Sequence, residues 1–260
     1  MLAEITPLVI TYNEAPNLDR TLSALSWARR VVVLDSGSID QSREIATRHA
    51  NVEWHERAFD HHAGQCNHAL DYLLGGARFV LSMDADYVMT EALRREIAAL
   101  EPDEDLSGYR VPFRYCVAGR PLRGTLYPAR VCLYRPERGR YRQAGHAHFL
   151  DITGRVERLE QHMLHDDRKP DLNFVTRQQR YARMEAAFIH SLPWRQLDWK
   201  KRVRRLLVFA PWLVPAYVLF GQGVILDGSA GLRYAYERFL AEYLISKELL
   251  LHTVNGPAHG

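Results

Sequence analysis

Three polar clusters in the first ninety residues each follow a short apolar run: Thr11-Tyr12-Asn13-Glu14, Asp35-Ser36-Gly37-Ser38-Ile39-Asp40 and Asp84-Ala85-Asp86. Any one of them is ordinary turn and helix-cap chemistry, because Asp, Asn and Ser readily bond their own backbone. Three of them at three strand ends point instead to a ligand. Asp84 and Asp86, one residue apart, suit a hard divalent cation, Mg²⁺ or Mn²⁺, held against a diphosphate. Such a cation would offset the charge that develops as the diphosphate leaves. Asp35 suits hydrogen bonds from a base N–H or from ribose hydroxyls. The chemistry is that of a sugar nucleotide. A dinucleotide cofactor is excluded: where Gly-x-Gly-x-x-Gly would follow the first strand, the chain reads Tyr12-Asn13-Glu14-Ala15-Pro16-Asn17, and there is no P-loop.

The elements that must position these clusters alternate along the chain. Ile5 to Thr11, Val31 to Asp35, Val52 to Trp54 and Phe79 to Met83 read as strands; Asn17 to Ala28, Asp40 to His49, Gly64 to Leu74 and Glu91 to Leu100 read as helices. Short apolar strands between amphipathic helices predict an α/β fold, a mostly parallel sheet with helices on both faces. In such sheets ligands bind beyond the carboxyl ends of the strands, where the three clusters sit. From Gly108 to about Leu159 the pattern changes to β-like pieces, among them Tyr109 to Phe113 and Arg130 to Tyr134, which suit a second-substrate region.

Composition adds bounds. The 260 residues carry 34 Lys and Arg against 31 Asp and Glu, too even a balance to imply nucleic-acid binding. Hydrophobic residues at 47% exclude a disordered chain. Cys66, Cys116 and Cys132 show no disulfide or zinc spacing and read as buried, reduced thiols. The first residues lack the basic start and cleavage site of a signal peptide, so the catalytic part is expected in the cytoplasm.

The ordered set of clusters resembles the family 2 inverting glycosyltransferases of the GT-A (Rossmann-like) fold. The stretch Phe59-Asp60-His61-His62-Ala63-Gly64-Gln65-Cys66-Asn67-His68-Ala69-Leu70 is similar to the branch of lipopolysaccharide inner-core glucosyltransferases. The resemblance is best over residues 4–100. It implies nucleoside contacts from Thr11, Tyr12, Glu14 and Asp35, a nucleotide contact from Asn67, and metal and diphosphate binding by Asp84 and Asp86, Asp86 being the more direct ligand. His165 stands where many GT-A enzymes complete the metal shell with a late histidine. Arg177-Gln178-Gln179-Arg180-Tyr181 resembles the Gln/Arg-x-x-Arg-Trp motif of processive synthases, with Arg177 and Arg180 on one helix face, suited to a diphosphate or an anionic acceptor.

Inversion also needs a base that deprotonates the acceptor hydroxyl. Where related inner-core enzymes carry His-Glu, this chain has His146-Ala147, which leaves Asp151, Asp166 and Asp167 as candidates. Lys169 to His190 reads as a helix. Beyond it, Lys200-Lys201-Arg202 and Arg204-Arg205 precede an uncharged run from Leu206 to Leu226. Pro211 and Pro215 interrupt that run, so it reads as an interfacial or embedded hairpin rather than a span.

The expectation is therefore a GT-A domain over 1–190, with a nucleotide-sugar half over 1–105 and an acceptor half over 106–190. A helical, membrane-associating segment over 191–260 would follow. The enzyme would move a sugar from a nucleoside diphosphate, with UDP expected, to a lipid-linked glycan or lipid at the cytoplasmic face of the inner membrane, held there as a peripheral or monotopic protein. A non-catalytic nucleotide-sugar-binding module is the alternative. A nucleotidyltransferase ranks third, because its glycine- and lysine-rich first loop is missing.

Overall fold

The computed structural model describes residues 1–144, 147–169, 174–206 and 209–255. By compactness the chain divides into two units, Met1–Pro121 with Tyr127–Lys169, and Leu122–Leu126 with Pro170–Gly260.

The first unit opens with β1 (Ile5–Thr11), α1 (Ala15–Ser23), β2 (Val31–Asp35), α2 (Ser42–Ala46), β3 (Val52–Glu56), α3 (His62–His68), β4 (Phe79–Asp84), β5 (Tyr87–Met89) and α4 (Glu91–Ala98). All five residues of β2 are buried, as expected of a strand covered on both faces. Helix α1 starts two residues earlier than the apolar pattern predicts, because Pro16 lies in its first turn, where a missing N–H costs nothing. It ends at Ser23, and the chain to Ala28 is a series of turns. Helix α3 continues as a π-helical turn, Ala69–Leu73. Thr90 caps α4, its hydroxyl accepting from the Leu93 amide at 3.1 Å.

The later strands are β6 (Leu106–Val111), β7 (Phe113–Val117), β8 (Arg120–Pro121), β9 (Arg130–Tyr134), β10 (Gly139–Ala144), β11 (Ala147–Ile152), β12 (Arg155–Arg158) and β13 (Met163–His165). The single strand expected over 109–113 is two strands: Pro112 has no N–H to give a ladder, and β6 and β7 join different sheets on either side of it. The central sheet has the order β12-β6-β9-β4-β1-β2-β3. It is parallel throughout except at β9, which runs antiparallel to β4 and β6. Strands β5, β13, β7 and β8 form a smaller sheet, and β10 and β11 a separate hairpin. One core contains Leu18, Leu22, Leu93 and Ile97 from α1 and α4; the other contains Leu8, Leu34, Ala69, Leu70 and Tyr134. All three cysteines are free and buried, and burial pushes the Cys132 thiol up to about 12.

The second unit contains α5 (Phe174–Ser191), α6 (Trp199–Arg205), α7 (Ala210–Ala216) and α8 (Ser229–Asn255). Helix α5 thus groups with the C-terminal helices, although the sequence placed it at the end of the first domain. Its buried Ala182, Ala186 and Ile189 pack on Leu244, Ile245 and Leu249 of α8. Arg204 of α6 bonds Glu185 of α5 at 2.9 Å and Glu242 of α8. The uncharged run becomes α7 and the turns that follow, and within it Ala210, Val218 and Val224 are buried. Among the described residues no helix is long and apolar enough to cross a membrane.

Gly108 of β6 shows how closely the central strands approach. A Cβ there would lie 2.7 Å from the Leu133 carbonyl oxygen and 2.7 Å from the Tyr134 Cβ, both on β9. Backbone cannot yield as a flexible side chain can. Gly108→Ala is expected to lower the unfolding free energy by about 1–3 kcal/mol, measured by denaturant titration.

Candidate active site

The Asp-x-Asp pair sits where β4 gives way to β5, with Asp84 as the last residue of the strand. Strand β13 pairs antiparallel with β5, and its register sets His165 opposite Tyr87. The Asp166 amide donates to the Asp86 carbonyl at 2.9 Å, and the His165 Nε2 lies 3.1 Å from the Asp86 Oδ2. The rings of Tyr87, Tyr115 and Tyr127 surround His165, with centroids 5.3, 5.0 and 4.7 Å away. Burial alone would depress the His165 pKa. The bond and charge of Asp86, with Asp84 and Asp167 behind it, outweigh burial and raise it above the ordinary histidine value.

Three side-chain atoms at this corner are buried with no hydrogen-bond partner, Asp86 Oδ1, His165 Nδ1 and Asp166 Oδ1. An unsatisfied buried polar atom costs about 1–3 kcal/mol, so unpartnered atoms gathered at one corner suit a ligand that would meet them. Among the described residues no three His, Cys, Asp or Glu side chains converge as a ready-made cage. Ions of the Mg²⁺ type take one or two carboxylates and complete their shell with water and substrate phosphate, so a cage is not required. Asp86 and His165, with Asp84 two residues before, fit such an ion.

The strand-end clusters after β1 and β2 form two loops laced together. The Asp35 carboxylate, almost wholly buried, accepts from the Gly37 and Ser38 amides at 2.9 and 2.7 Å and from the Ser38 hydroxyl. The Ser38 hydroxyl accepts from the Asn13 amide at 2.8 Å, and the Asn13 side chain accepts from the Ile39 amide at 2.9 Å. Asn13 itself is left-handed at φ 52, which Asn tolerates better than most residues. Ser42 and Asp40 take the Glu14 and Ala15 amides. Asp35 therefore shapes the loop with its own carboxylate. Thr11, paired in register with Asp35, has its hydroxyl buried without a partner, and the Tyr12 ring is exposed.

Glu14 is engaged as well. Its carboxylate meets the Lys169 ammonium and the Asn17 amide, which also donates to Asp167 at 2.9 Å. Asn17 Oδ1 accepts from the Arg168 amide and from Arg20 at 2.8 and 3.1 Å. Asn17 is fully buried and uses its whole amide to bind the loop after β13 to the loop after β1. Burial lifts the Glu14 pKa above the usual carboxylate value, although Lys169 and Asn17 pull against it.

The three candidate bases lie elsewhere than expected. Asp166 is buried and bonded to Arg168 at 2.9 Å, with Arg20 at 3.6 Å. Asp167 accepts from Asn17 and from the Lys169 amide. Asp151 is exposed and pairs with Arg142 at 2.8 Å, a bond that holds its carboxyl below the usual range. Phe149, Leu150 and Ile152 around it line a cleft of about 490 Å³, whereas Asp151 is not among the lining residues. Asn67 is committed too: it donates to the Tyr141 carbonyl and accepts from the Tyr141 amide, both at 2.9 Å, fixing α3 to β10. Arg177 and Arg180 lie on α5 of the second unit, where Arg180 stands over the Tyr181 ring.

That cleft adjoins Asp84 and is walled by His62, Tyr87, Arg110, Arg130, Tyr141 and Phe149. Arg130 donates to the hydroxyls of Tyr87 and Tyr127 at 3.3 and 3.2 Å. Burial depresses the His62 pKa, opposed by the charge of Asp84.

A family model described as glycosyl transferase family 2 matches residues 8–162, from β1 to the residue before β13. The chain belongs to glycosyl transferase family 2. Among solved structures, this glycosyltransferase is similar to S. aureus TarS 1–349 in complex with UDP-GlcNAc, at 15% identity over 96% of this chain and 92% of that one, TM-score 0.46. A second similarity is to glucosyl-3-phosphoglycerate synthase from Mycobacterium tuberculosis in complex with Mn²⁺, UDP and glucosyl-3-phosphoglycerate. There identity is 16% over 42% of this chain and TM-score 0.36, and the match spans 44% of that synthase, less than half its length.

Sequence reading missed several residues of the glycosyltransferase site. Asn17 and Thr21 share the buried face of α1 with Leu18 and Leu22, so the helical period marked Asn17 as a polar residue bound for the interior. Lys169 carried only the signal of a basic residue beside an acidic pair. Nothing in the spacing around Tyr127 and Arg130 announced their approach to Tyr87, because that contact is made between strands far apart in sequence.

The Asn17 network yields a prediction. Asn17→Ala leaves Glu14 and Asp167 each short of a buried donor, and is expected to cost about 2–4 kcal/mol of stability, read from chemical unfolding.

Proposed function

We propose that this family 2 glycosyltransferase moves a sugar from a UDP-sugar to a membrane-anchored glycan or lipid with inversion, as in lipopolysaccharide or other envelope glycan synthesis. Its place of work would be the cytoplasmic face of the inner membrane. One observation carries the donor half: Thr11 Oγ1, Asp86 Oδ1 and His165 Nδ1 are buried polar atoms without partners. They belong to the strand-end clusters and to the strand paired beside them. A donor whose nucleoside meets the Thr11 end and whose diphosphate meets the Asp86 end would satisfy all three.

Asp84, Asp86 and His165 would hold a divalent metal, Mg²⁺ or Mn²⁺. When bound, such an ion supplies positive charge against which the leaving diphosphate builds up its negative charge. The exposed Tyr12 ring offers a face to the base, and the loop ordered by Asp35 and Asn13 supports it.

The acceptor hydroxyl enters by the cleft beside Asp84. Its oxygen bonds to the anomeric carbon as the bond from that carbon to the diphosphate oxygen breaks, with the electron pair leaving on the diphosphate. The hydroxyl proton needs an acceptor on the cleft side. Asp151 is paired with Arg142 and is not among the cleft's lining residues, and Asp166 and Asp167 are engaged by Arg168, Asn17 and the Lys169 amide. Of the side chains lining the cleft, His62 has the chemistry to take that proton and stands beside Asp84.

Two experiments test this reading. In calorimetric titration with UDP, binding is expected with Mn²⁺ and lost with EDTA, and Asp86→Asn is expected to lose it while melting like the parent. Metal-independent UDP binding would reject the role given to Asp86. In turnover with a membrane-extract acceptor, His62→Ala is expected to fall about 100-fold or more at unchanged UDP affinity, whereas Asp151→Asn keeps parental turnover. The reverse result would return the base to Asp151.

A further inference from the structure

The second unit has an outward face that its own fold does not explain. Helix α7 and the π-helical turn after it, Tyr217–Gly221, are apolar on both sides. Ala210, Pro211 and Val218 face inward, buried. On the other side Phe209, Trp212, Leu213, Tyr217 and Phe220 follow the helical period and are 55–70% exposed. Five large apolar side chains within twelve residues, with no charge from Leu206 to Leu226, make a ridge that water alone does not favour. The ridge continues onto α8: the Trp212 ring lies 5.2 Å from Phe239, and Phe239 stacks on the half-exposed Tyr243.

The charges of the same unit are sorted by sign. Among the described residues Glu185, Asp227, Glu237, Glu242 and Glu248 are 7–18% exposed and each is paired to an arginine. Among the described residues of the unit Asp198 is the one exposed carboxylate, and it is bonded to Lys201 where it caps α6. Cations remain outside: Arg183 and Arg233 are 69% and 56% exposed, and Arg180, Arg195 and Lys247 are exposed too. To solvent the unit shows aromatic and aliphatic side chains with cations and almost no negative charge.

We infer that this face docks on an anionic lipid surface, with the ridge of Phe209, Trp212, Leu213, Tyr217 and Phe220 seated among the headgroups. The inference deepens the membrane-acceptor reading above and rests on it for its purpose. Aromatic residues with polar edges favour the boundary between water and lipid, and an apolar helical face enters it to about 5–10 Å without spanning. Cations outside the ridge add attraction to acidic headgroups, and burial of the carboxylates removes the repulsion that would oppose it. A neutral partner protein or a second copy would gain from the ridge but would not call for the sorting of charge.

The test is flotation of the full chain with vesicles of phosphatidylcholine alone or with phosphatidylglycerol added, at low and high salt. Binding is expected on the anionic vesicles, weaker by about tenfold or more on the neutral ones and in high salt. Leu213→Ser with Phe220→Ser, both solvent-facing changes, is expected to weaken anionic binding by about tenfold or more at an unchanged melting temperature. Brominated lipid is expected to quench tryptophan fluorescence, and Trp212→Phe to remove most of that quenching while keeping vesicle binding. Absence of binding, equal binding to both vesicle types, or binding untouched by the double substitution overturns the inference. So does a dimer, seen by sedimentation, that the double substitution dissolves while vesicles are never bound. UDP titration of the same samples separates the readings: intact UDP binding with no vesicle binding rejects the docking face alone, and the converse rejects the donor site alone.

Discussion

The active site hangs on the antiparallel pairing of β13 with β5. Asp86 leaves the end of β4 as part of a sharp exit, and nothing within fifty residues on either side supplies a histidine to it. The chain makes the whole of β6 to β12 before β13 returns, and the register of three residue pairs then decides which side chain meets Asp86. A slip of one residue would turn His165 to the other side of the small sheet. The bond from the Asp166 amide to the Asp86 carbonyl and the tyrosine rings packed around His165 keep that slip from occurring.

The same return places a second cluster, and there physical chemistry separates two kinds of acidic residue. Glu14, Asp166 and Asp167 are withdrawn from water, but each is answered by a cation or an amide: Lys169, Arg20, Arg168 or Asn17. Buried charges that are so compensated hold two loops in fixed relation and have little left to offer a substrate. Asp86 and Asp166 differ from Glu14 in that each keeps one oxygen that is buried and unanswered.

Much of this was legible in the residue order. The apolar runs gave β1, β2, β4 and β9 nearly to the residue, because a strand buried on both faces leaves little choice of composition. The strand-end clusters followed from that, and His165, expected from a resemblance as a metal ligand, lies beside Asp86. What could not be read were consequences of pairing between distant strands. Asp151 looked like a substitute base, and the β10–β11 hairpin sets its side chain against Arg142. Asn67 looked like a nucleotide ligand until its amide was found spent on the Tyr141 backbone. In both cases the residue type was informative and its direction was not, since direction depends on a neighbour some ten to seventy positions away.

Leu122–Leu126 belongs with the C-terminal helices although β8 precedes it and β9 follows it. Its anchors are late ones: the Arg123 amide donates to Asp227, 104 residues on, and the Leu126 amide to the Tyr234 hydroxyl, 108 residues on. During synthesis this loop therefore leaves the ribosome long before anything exists to hold it, while β9 immediately behind it must already find its slot between β4 and β6. The two late anchors of this loop can therefore form only once the start of the last helix has been made.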